Sequence, residues 1–312
     1  MTVNVLFSAD AKHFADWVDS LNAALEEARV KSEIDFACDD PAKYDYVVYS
    51  PDGGLRDFSG FVNLKAVLSL WAGVETLASN STIGCPICRM VDPGMIEGMT
   101  EWVVGQVLRH HLDFDRFLDA KPGEWLQHLG PPLARDRTVA VLGLGQLGSD
   151  CARALNSLNF RVLGWSRTVK NIRGIDCRSG NDGLESAVSE ADILVLLLPH
   201  TNDTENICNA SLFAKCRRGV VLINSGRGAL VDEGDLVAAI DNGTVSHATL
   251  DVFRQEPLPA QHPFWTHPKI SVWPHIASET RFRTASQVIA ENMRRGGAGE
   301  PFLHVVDRQR GY

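Results

Sequence analysis

The chain has 312 residues, of which 45% are hydrophobic and 22% charged, a composition typical of soluble globular proteins. At about 150 residues per domain, this length predicts two domains. Its 30 basic and 39 acidic residues give a net charge of −9 at pH 7, which argues against a nucleic-acid partner because such binders present a basic surface. The longest apolar run, residues 193–199, is far shorter than the roughly 20 residues that span a bilayer, so no membrane partner is expected.

The first residues, MTVNVLFSADAKHF, contain no basic stretch followed by an apolar one, so no signal peptide is predicted. The seven cysteines are an odd number scattered along the chain, which is typical of reduced thiols rather than of a disulfide framework. Cys85 and Cys88 form a CxxC pair, but the second cysteine or histidine pair that a zinc site needs is missing. We therefore expect a cytoplasmic protein, structural thiols and no metal.

The first hundred residues alternate strand-like and helix-like segments. Apolar runs at 3–7, 44–49 and 64–70 predict buried strands, and apolar residues at three- and four-residue steps predict a helix over 11–28. The segment 85–92 also has the character of a strand. Strands separated by helices are expected to pair in parallel, because a parallel crossover needs about a dozen residues or more.

A second alternating block follows a long helix predicted at 95–117 and an irregular segment at 121–132, which holds three prolines and two glycines. The block starts near residue 138 and ends before a last helix predicted at 280–295. Its predicted strands are 139–142, 161–165, 193–198, 220–223, 248–252 and 270–272.

A glycine-rich turn opens the second block. The strand 139–142 leads into Gly143-Leu144-Gly145-Gln146-Leu147-Gly148, and a helical run and another strand follow. In a dinucleotide site, Gly143 permits a tight turn, Gly145 lets the backbone approach a pyrophosphate, and Gly148 lets helix and strand pack closely. The alternative is a glycine-rich turn without a ligand.

The end of the next strand bears on which dinucleotide binds. NAD sites place an acidic side chain there for the ribose 2′-OH, but here Ser166, Arg167 and Thr168 follow the strand, and residues 161–171 hold no Asp or Glu. A guanidinium and hydroxyls suit a 2′-phosphate. We predict that NADP(H) is preferred and that NAD(H) is possible; the alternative is that Arg167 is an ordinary solvated side chain.

Three polar residues leave the ends of later strands: Arg227 in NSGRG, Glu256 in DVFRQEP and His275 in WPHIAS. Open α/β sheets bind ligands at the carboxyl ends of their strands. Taken singly, each also has a structural explanation: a surface cation, a turn residue, and a core histidine bonded to backbone.

Together with the glycine turn, these blocks resemble the D-isomer-specific 2-hydroxyacid dehydrogenase family. The resemblance covers almost the whole chain and includes GLGQLG, the Leu198-Pro199 pair after the third strand, SGRG, DVFRQEP and PHIAS. Within the family, LKAVLSLWAGVE, WSRT and the terminal DRQRGY are most similar to the glyoxylate/hydroxypyruvate reductases of the A type.

The resemblance implies an α/β fold with two Rossmann-like or flavodoxin-like parallel-sheet domains and a cleft between them. We expect residues 1–97 and 280–312 to form the substrate domain and residues 98–279 the dinucleotide-binding domain. A homodimer is also implied, with the helix from Met95 and the segment 121–132 at its interface.

For the chemistry, the resemblance implies that Arg227 binds the substrate carboxylate and polarises the keto oxygen. It makes His275 the proton donor in reduction and Glu256 its partner. Hydride delivery to a ketone leaves negative charge on oxygen, which a guanidinium stabilises and an imidazolium neutralises by proton transfer. A carboxylate beside the imidazole favours its protonated form.

In the first domain, the resemblance assigns substrate binding to the backbone N–H groups of Ala72 and Gly73. Trp71 departs from the family, in which many members have a small residue there. A ring beside the carboxylate pocket would narrow it and suit a short substrate; the alternative is that Trp71 packs in an interdomain core. The further cofactor contacts implied are Leu198, Pro199, Ser225, Gly226, Asp251, His275 and Ala277.

The predicted function is therefore NAD(P)H-dependent reduction of a small 2-oxoacid, glyoxylate or hydroxypyruvate, to the D-2-hydroxyacid. One alternative is a bulkier 2-oxoacid such as phenylpyruvate or a branched-chain acid. Another is a non-catalytic nucleotide-sensing protein, which could keep the glycine turn but has no need of Arg227, Glu256 and His275 together. A methyl donor in the glycine-rich loop fits the turn but not the acid–base residues.

Overall fold

The structure is a computed structural model that describes residues 2–10, 12, 14–127 and 129–312. The chain divides into two compact units, one formed by Met1–Met95 with Glu279–Tyr312 and the other by Ile96–Ser278. Each unit is built on one sheet of parallel strands, with five strands in the first sheet and seven in the second. The prediction of two parallel-sheet α/β domains is confirmed.

The strands in chain order are β1 (Val3–Ser8), β2 (Ser32–Asp35), β3 (Tyr46–Tyr49), β4 (Ala66–Ser69), β5 (Ile87–Cys88), β6 (Thr138–Leu142), β7 (Arg161–Trp165), β8 (Asp176–Arg178), β9 (Ile193–Leu196), β10 (Val220–Asn224), β11 (Val245–Leu250) and β12 (Ile270–Val272). The helices are α1 (Phe14–Glu27), α2 (Glu75–Ala78), α3 (Pro93–His111), α4 (Phe114–Leu118), α5 (Gln146–Ser157), α6 (Gly180–Glu190), α7 (Ala210–Phe213), α8 (Glu233–Asp241) and α9 (Phe282–Ala298).

The first unit has the strand order β2-β1-β3-β4-β5. The central strands β3 and β4 are fully buried, as their continuous apolar sequences YVVY and AVLS require. Helix α1 buries an apolar stripe that includes Trp17, and the Trp17 ring meets the Phe282 ring of α9 edge-on at 5.0 Å. The C-terminal helix therefore belongs to the core of this unit.

The second unit has the strand order β12-β11-β10-β9-β6-β7-β8. Side chains of β6 alternate between two core layers, with Val139 and Val141 in one and Ala140 and Leu142 in the other. The chain leaves β6 toward β7 and returns to its other side at β9, so the topological switch point lies between β6 and β9. Ligands of open α/β sheets bind outside the carboxyl ends of the strands at such a point.

The differences from the sequence predictions have local causes. Strands β2 and β8 were not predicted because their sequences, SEID and DCR, are short, polar and at the sheet edges. The helix predicted at 95–117 ends at His111, because Asp113 adopts a left-handed conformation with φ of 56° and α4 starts anew after it. Of the predicted strand 85–92, only Ile87 and Cys88 form ladder pairs.

All seven cysteines are free thiols, as predicted. Burial raises the pKa of Cys88 to about 12 and is also the main reason that the pKa of Cys151 rises to about 12, so both thiols stay protonated near neutral pH. Within the described ranges, no group of three His, Cys, Asp or Glu side chains could hold a metal ion. No helix in the described part of the chain is long and apolar enough to cross a membrane.

Candidate active site

The glycine turn lies between β6 and α5. Gly143 has φ of 112°, and a Cβ added to Gly148 would lie 1.8 Å from the Gly143 carbonyl oxygen, so neither position accepts a side chain. Gly145 is the N-cap of α5; no side chain caps the helix, and a Cβ there would meet no described atom within 4 Å. Open space therefore lies beside the N-terminus of α5, where the first N–H groups of a helix can donate to an anion.

The residues that follow β9 and β10 lie, like the glycine turn, at the carboxyl ends of the strands. Gly226 lies against Leu198, since a Cβ added to Gly226 would be 2.9 Å from the Leu198 carbonyl oxygen. The Ser225 hydroxyl is buried and its Oγ has no hydrogen-bond partner among the described residues. A buried hydroxyl without a partner is rare in native proteins, and a bound ligand is one way to supply the missing partner. Pro199 continues the loop after Leu198. The residues at the carboxyl ends of these strands therefore fit a dinucleotide.

Ser166 directly follows the strand β7 and is buried, whereas Arg167 and Thr168 are exposed. The Ser166 hydroxyl donates to the Thr168 carbonyl oxygen at 2.8 Å. This bond closes a short turn that places the Arg167 side chain at the surface beyond the strand end. The Ser166 hydroxyl hydrogen is used within the turn, and the exposed Arg167 carries the positive charge that an anion would pair with.

Arg227 stands on a turn that Asn224 shapes. The Asn224 amide is 1% exposed; its Oδ1 accepts from the Gly226 N–H at 3.1 Å and its Nδ2 donates to the Arg227 carbonyl at 2.9 Å. Arg227 Nη1 donates to the Gly226 carbonyl at 2.7 Å. The sequence did not predict this role of Asn224. The only sign of it there is that a polar residue ends an apolar strand.

His275 and Glu256 form a hydrogen-bonded pair, with 2.7 Å between His275 Nδ1 and Glu256 Oε2. The other Glu256 oxygen accepts from the Phe253 N–H at 2.8 Å. Burial alone would raise the pKa of Glu256, but the hydrogen bonds from His275 and Phe253 and the charges of His275 and Arg227 lower it below its ordinary value. Within the described chain, His275 Nε2 has no hydrogen-bond partner, which leaves this nitrogen for proton transfer.

Asp251 holds the turn that carries His275. Its buried carboxylate accepts from the Ile276 N–H at 2.9 Å and the Ala277 N–H at 3.0 Å, and its main-chain carbonyl accepts from the His275 N–H at 2.8 Å. Burial raises the pKa of Asp251 while the two N–H groups oppose the rise. These bonds stabilise the left-handed conformation of His275, whose φ is 55°. Contact of Asp251 with a cofactor stays a prediction.

In the first unit, the loop after β4 carries the predicted substrate contacts. The Ser69 hydroxyl accepts from the Trp71 N–H and donates to the Trp71 carbonyl, both at 3.0 Å. The N–H groups of Ala72 and Gly73 donate to no described group. Trp71 is 45% exposed, whereas Leu70 beside it is 3% exposed, so Trp71 is not part of the core of the first unit.

The fold and these side chains define a two-domain α/β protein with a dinucleotide-type glycine turn and an Arg, a Glu and a His at strand ends of the same unit. The family model described as D-isomer specific 2-hydroxyacid dehydrogenase, NAD binding domain, matches residues 102–277. A curated relative, glyoxylate/hydroxypyruvate reductase A of Yersinia enterocolitica, is 35% identical over 99% of this chain and 100% of its own. The chain belongs to the D-isomer-specific 2-hydroxyacid dehydrogenase family.

Solved structures that cover this chain completely include two in complex with NADPH or NADP. A D-isomer specific 2-hydroxyacid dehydrogenase from Xanthobacter autotrophicus Py2, in complex with NADPH and MES, is similar with a TM-score of 0.92, 38% identity and 100% of its own chain covered. An NADPH-dependent glyoxylate/hydroxypyruvate reductase from Sinorhizobium meliloti, in complex with NADP and sulfate, is similar with a TM-score of 0.87, 34% identity and 99% covered. The resemblance found in the sequence is confirmed.

Proposed function

We propose that this protein is an NADPH-dependent reductase that converts glyoxylate to glycolate, which has no stereocentre, or hydroxypyruvate to D-glycerate. The observation that carries the proposal is the 2.7 Å pair of His275 and Glu256 in the unit that holds the glycine turn and Arg227. The names of the Yersinia and Sinorhizobium relatives support the same substrates, and those of the two solved structures support the same cofactor.

NADP(H) fits the residues at the switch point of the second sheet. The α5 N-terminus would take the pyrophosphate, and Arg167 with Thr168 would take the 2′-phosphate. When bound, the reduced nicotinamide supplies a hydride to the keto carbon. The residues that would hold it are Gly143, Gly145, Gln146, Leu147, Gly148, Ser166, Arg167, Thr168, Leu198, Pro199, Ser225, Gly226, Asp251, His275 and Ala277.

Arg227, His275 and Glu256 divide the remaining work. The Arg227 guanidinium would bind the substrate carboxylate and stabilise the negative charge that forms on the keto oxygen. His275 Nε2 would donate a proton to that oxygen, and Glu256 would hold the ring through Nδ1 and stabilise its positive charge before transfer. The imidazole side chain is 44% exposed, so water can return the proton for the next turnover.

Trp71, Ala72 and Gly73 are the proposed substrate contacts of the first unit. The N–H groups of Ala72 and Gly73 would donate to the substrate carboxylate, and the half-exposed Trp71 ring would limit the space beside it. A short side chain, hydrogen in glyoxylate or hydroxymethyl in hydroxypyruvate, suits such a space better than a benzyl group.

The direct test follows the loss of NADPH absorbance against a panel of 2-oxoacids from glyoxylate to phenylpyruvate, with NADH in parallel and His275→Ala as the blank. We expect the highest kcat/KM with NADPH and either glyoxylate or hydroxypyruvate. A higher kcat/KM for phenylpyruvate or a branched-chain 2-oxoacid would overturn the substrate assignment, and no oxidation with any acid would overturn the reductase itself.

The proposed 2′-phosphate contact gives a prediction for Arg167→Asp. We expect KM for NADPH to rise by about 10- to 100-fold, because loss of a charge-assisted hydrogen bond costs about 1.5–3 kcal/mol and the new carboxylate repels phosphate. KM for NADH should change little. Arg173→Asp, which makes the same charge change at an exposed residue nearby, is the matched control. An unchanged NADPH preference in Arg167→Asp would remove this role.

The lowered pKa of Glu256 gives a prediction for Glu256→Gln. The protonated imidazole stabilises the carboxylate, so the carboxylate stabilises the protonated imidazole equally. Glutamine keeps a hydrogen-bond acceptor but removes the charge. The alkaline decline of kcat/KM should therefore move to lower pH, measured as a pH–rate profile with glyoxylate.

The same pair gives a stability check with a defined sign. Because the pKa of Glu256 is lowered in the folded protein, its stabilising contribution is present above the ordinary pKa of a glutamate and is lost as pH falls through the lowered one. The thermal unfolding temperature of Glu256→Gln should thus be lower than that of the native protein near neutral pH, and the two temperatures should converge in acid. Unshifted activity and unfolding profiles would count against the pairing.

We further propose a homodimer in which the segment after α3 meets its counterpart in a second copy. Large apolar side chains are exposed along this segment, with Leu118 at 80% and Trp125 at 86%. A cluster of this kind marks an interaction surface on a soluble protein. Its exposed members are Phe114, Phe117, Leu118, Trp125, Leu129 and Leu133.

Sedimentation of the native protein should give twice the mass of the chain. The double variant Leu118→Asp with Trp125→Ser should have a lower sedimenting mass. A monomer at micromolar concentrations of the native protein would contradict the interface.

The cytoplasm is the proposed compartment. All seven thiols are free, as the glutathione and thioredoxin systems of a reducing compartment keep them. Fractionation of cells that produce the protein should recover it with the cytoplasmic enzymes, and recovery with secreted proteins would overturn the assignment.

A further inference from the structure

Arg254 connects several loops of the second unit through one guanidinium. Its Nη1 donates to Glu205 Oε1 at 2.9 Å, its Nε to the Val231 carbonyl at 3.2 Å, and its Nη2 to the Ala229 carbonyl at 3.1 Å. Nη2 also donates to the Val231 carbonyl and to the Asn206 side chain. A planar guanidinium with five N–H groups in fixed directions can satisfy such a set of acceptors, whereas an ammonium cannot match the geometry.

Two of these acceptors belong to the turn that follows Arg227. Residues Gly228–Leu230 form a short 3-10 helix, and the Ala229 and Val231 carbonyls lie within and after it. Gly228 packs directly on the chain before Arg254, since a Cβ added to Gly228 would lie 1.9 Å from the Phe253 carbonyl carbon. The backbone contact and the guanidinium therefore fix the Arg227 turn against the segment 253–254.

The same segment also holds Glu256. The Phe253 N–H donates to Glu256 Oε1 at 2.8 Å, and Glu256 Oε2 bonds His275. A shift of residues 253–254 would thus move the support of Glu256 and the support of Arg227 together.

The third loop follows β9. Glu205, which accepts from Arg254, pairs through its other oxygen with His200 Nε2. The Thr204 hydroxyl donates to the Pro199 carbonyl at 2.7 Å, and the Asn206 N–H donates to the Ala229 carbonyl at 2.9 Å. The loop 199–206 is therefore bonded both to the Arg227 turn and to Arg254.

We propose that Arg254 is a positioning residue that holds the Arg227 turn at a fixed position relative to the His275–Glu256 pair. The inference rests on the proposed function, because this relative position matters only if both groups act on one substrate. Arg254 is itself 34% exposed and contacts neither Arg227 nor His275 through a described bond; its effect is on the turns that carry them. Misplacing catalytic groups by about 1 Å can cost about 10²-fold in rate.

The test compares Arg254→Met and Arg254→Lys with Arg217→Met. The first removes the guanidinium, the second keeps a charge that can pair with Glu205, and the third removes a surface ion pair of the same unit, Arg217 to Asp192 at 2.8 Å. Glyoxylate kinetics with NADPH and thermal unfolding are measured on all three. Hydrogen exchange is measured on peptides that cover 205–208 and 227–232.

We expect both Arg254 variants to remain folded and to lose about 10²-fold in kcat/KM, with kcat and the KM for glyoxylate both affected. Lysine should not rescue, because most of the bonds go to carbonyls of fixed direction rather than to Glu205. The amides of Asn206 and Cys208, which donate to Ala229 and Leu230, should exchange faster. Arg217→Met should match the native protein in every readout.

Other outcomes overturn the inference in distinguishable ways. Activity within about threefold of native in Arg254→Met would overturn the role of Arg254 and leave the proposed function intact. Full rescue by Arg254→Lys would reduce the role to an ion pair with Glu205. No reductase activity in the native protein would overturn the proposed function, and this inference with it.

Discussion

Replacing Arg227 with glutamine should lower kcat/KM for glyoxylate by about 10³-fold, the upper range for loss of one group that stabilises a developing oxyanion. Glutamine can still donate a hydrogen bond but carries no charge. The reduction of kcat reflects lost stabilisation of the charge on the keto oxygen, and the rise in KM reflects lost binding of the carboxylate. Steady-state kinetics with NADPH at saturation separate the two effects.

Arg227→Lys is the matched variant, since it keeps the charge and loses the planar fork. The kcat of Arg227→Lys should lie between that of the native protein and that of Arg227→Gln. Because Asn224 shapes the turn through the backbone of Gly226 and Arg227, neither substitution should disturb the fold. A rise in KM with kcat unchanged in Arg227→Gln would show that Arg227 binds substrate without polarising the ketone.

Replacing His275 with glutamine should lower kcat by about 10²- to 10⁴-fold, the range for loss of a general acid. A glutamine amide can bond Glu256 but has no proton to give to an alkoxide. The binding of NADPH should weaken far less than kcat falls, because His275 is only one of the proposed cofactor contacts and those at the glycine turn and Arg167 are unchanged. The residual rate should also lose the alkaline decline that a titrating acid imposes, which a pH–rate profile measures directly.

His267→Gln is the control for this substitution, since His267 lies in the same unit. Among the described residues, its side chain hydrogen-bonds only within its own turn, where Nδ1 accepts from the Lys269 N–H. It should behave as the native protein. A His275→Gln variant with kcat within about tenfold of native would mean that another group, or water, delivers the proton.

The sequence predicted the central strands well because they are continuous apolar runs. Strand β7 begins and ends where the pattern RVLGW does, and β6 and β10 differ from their predictions by one residue at one end. The polar edge strands β2 and β8 carry no such pattern and were missed, and the break before α4 depends on one residue, Asp113, in a left-handed conformation. Edges and single backbone turns leave little trace in hydrophobic periodicity.

The site residues that could be predicted follow strands directly: Arg227, Glu256 and His275 each occur a few residues after an apolar run. The contacts that position them could not. Asp251 was predicted only as a cofactor contact, and the sequence does not show that Asp251 accepts from the Ala277 N–H across 26 positions or that Arg254 bonds Glu205 across 49. Such partners depend on which loops the fold brings together, and no local pattern records that.

The most direct test of the reductase assignment incubates the protein with hydroxypyruvate and NADPH and identifies the product by chiral chromatography. A hydride on the keto carbon and a proton on its oxygen give glycerate, so we predict D-glycerate and NADP⁺ in equal amounts, with both formed at least about 10²-fold more slowly by His275→Ala. Formation of L-glycerate, or NADPH oxidation without glycerate, would contradict the account.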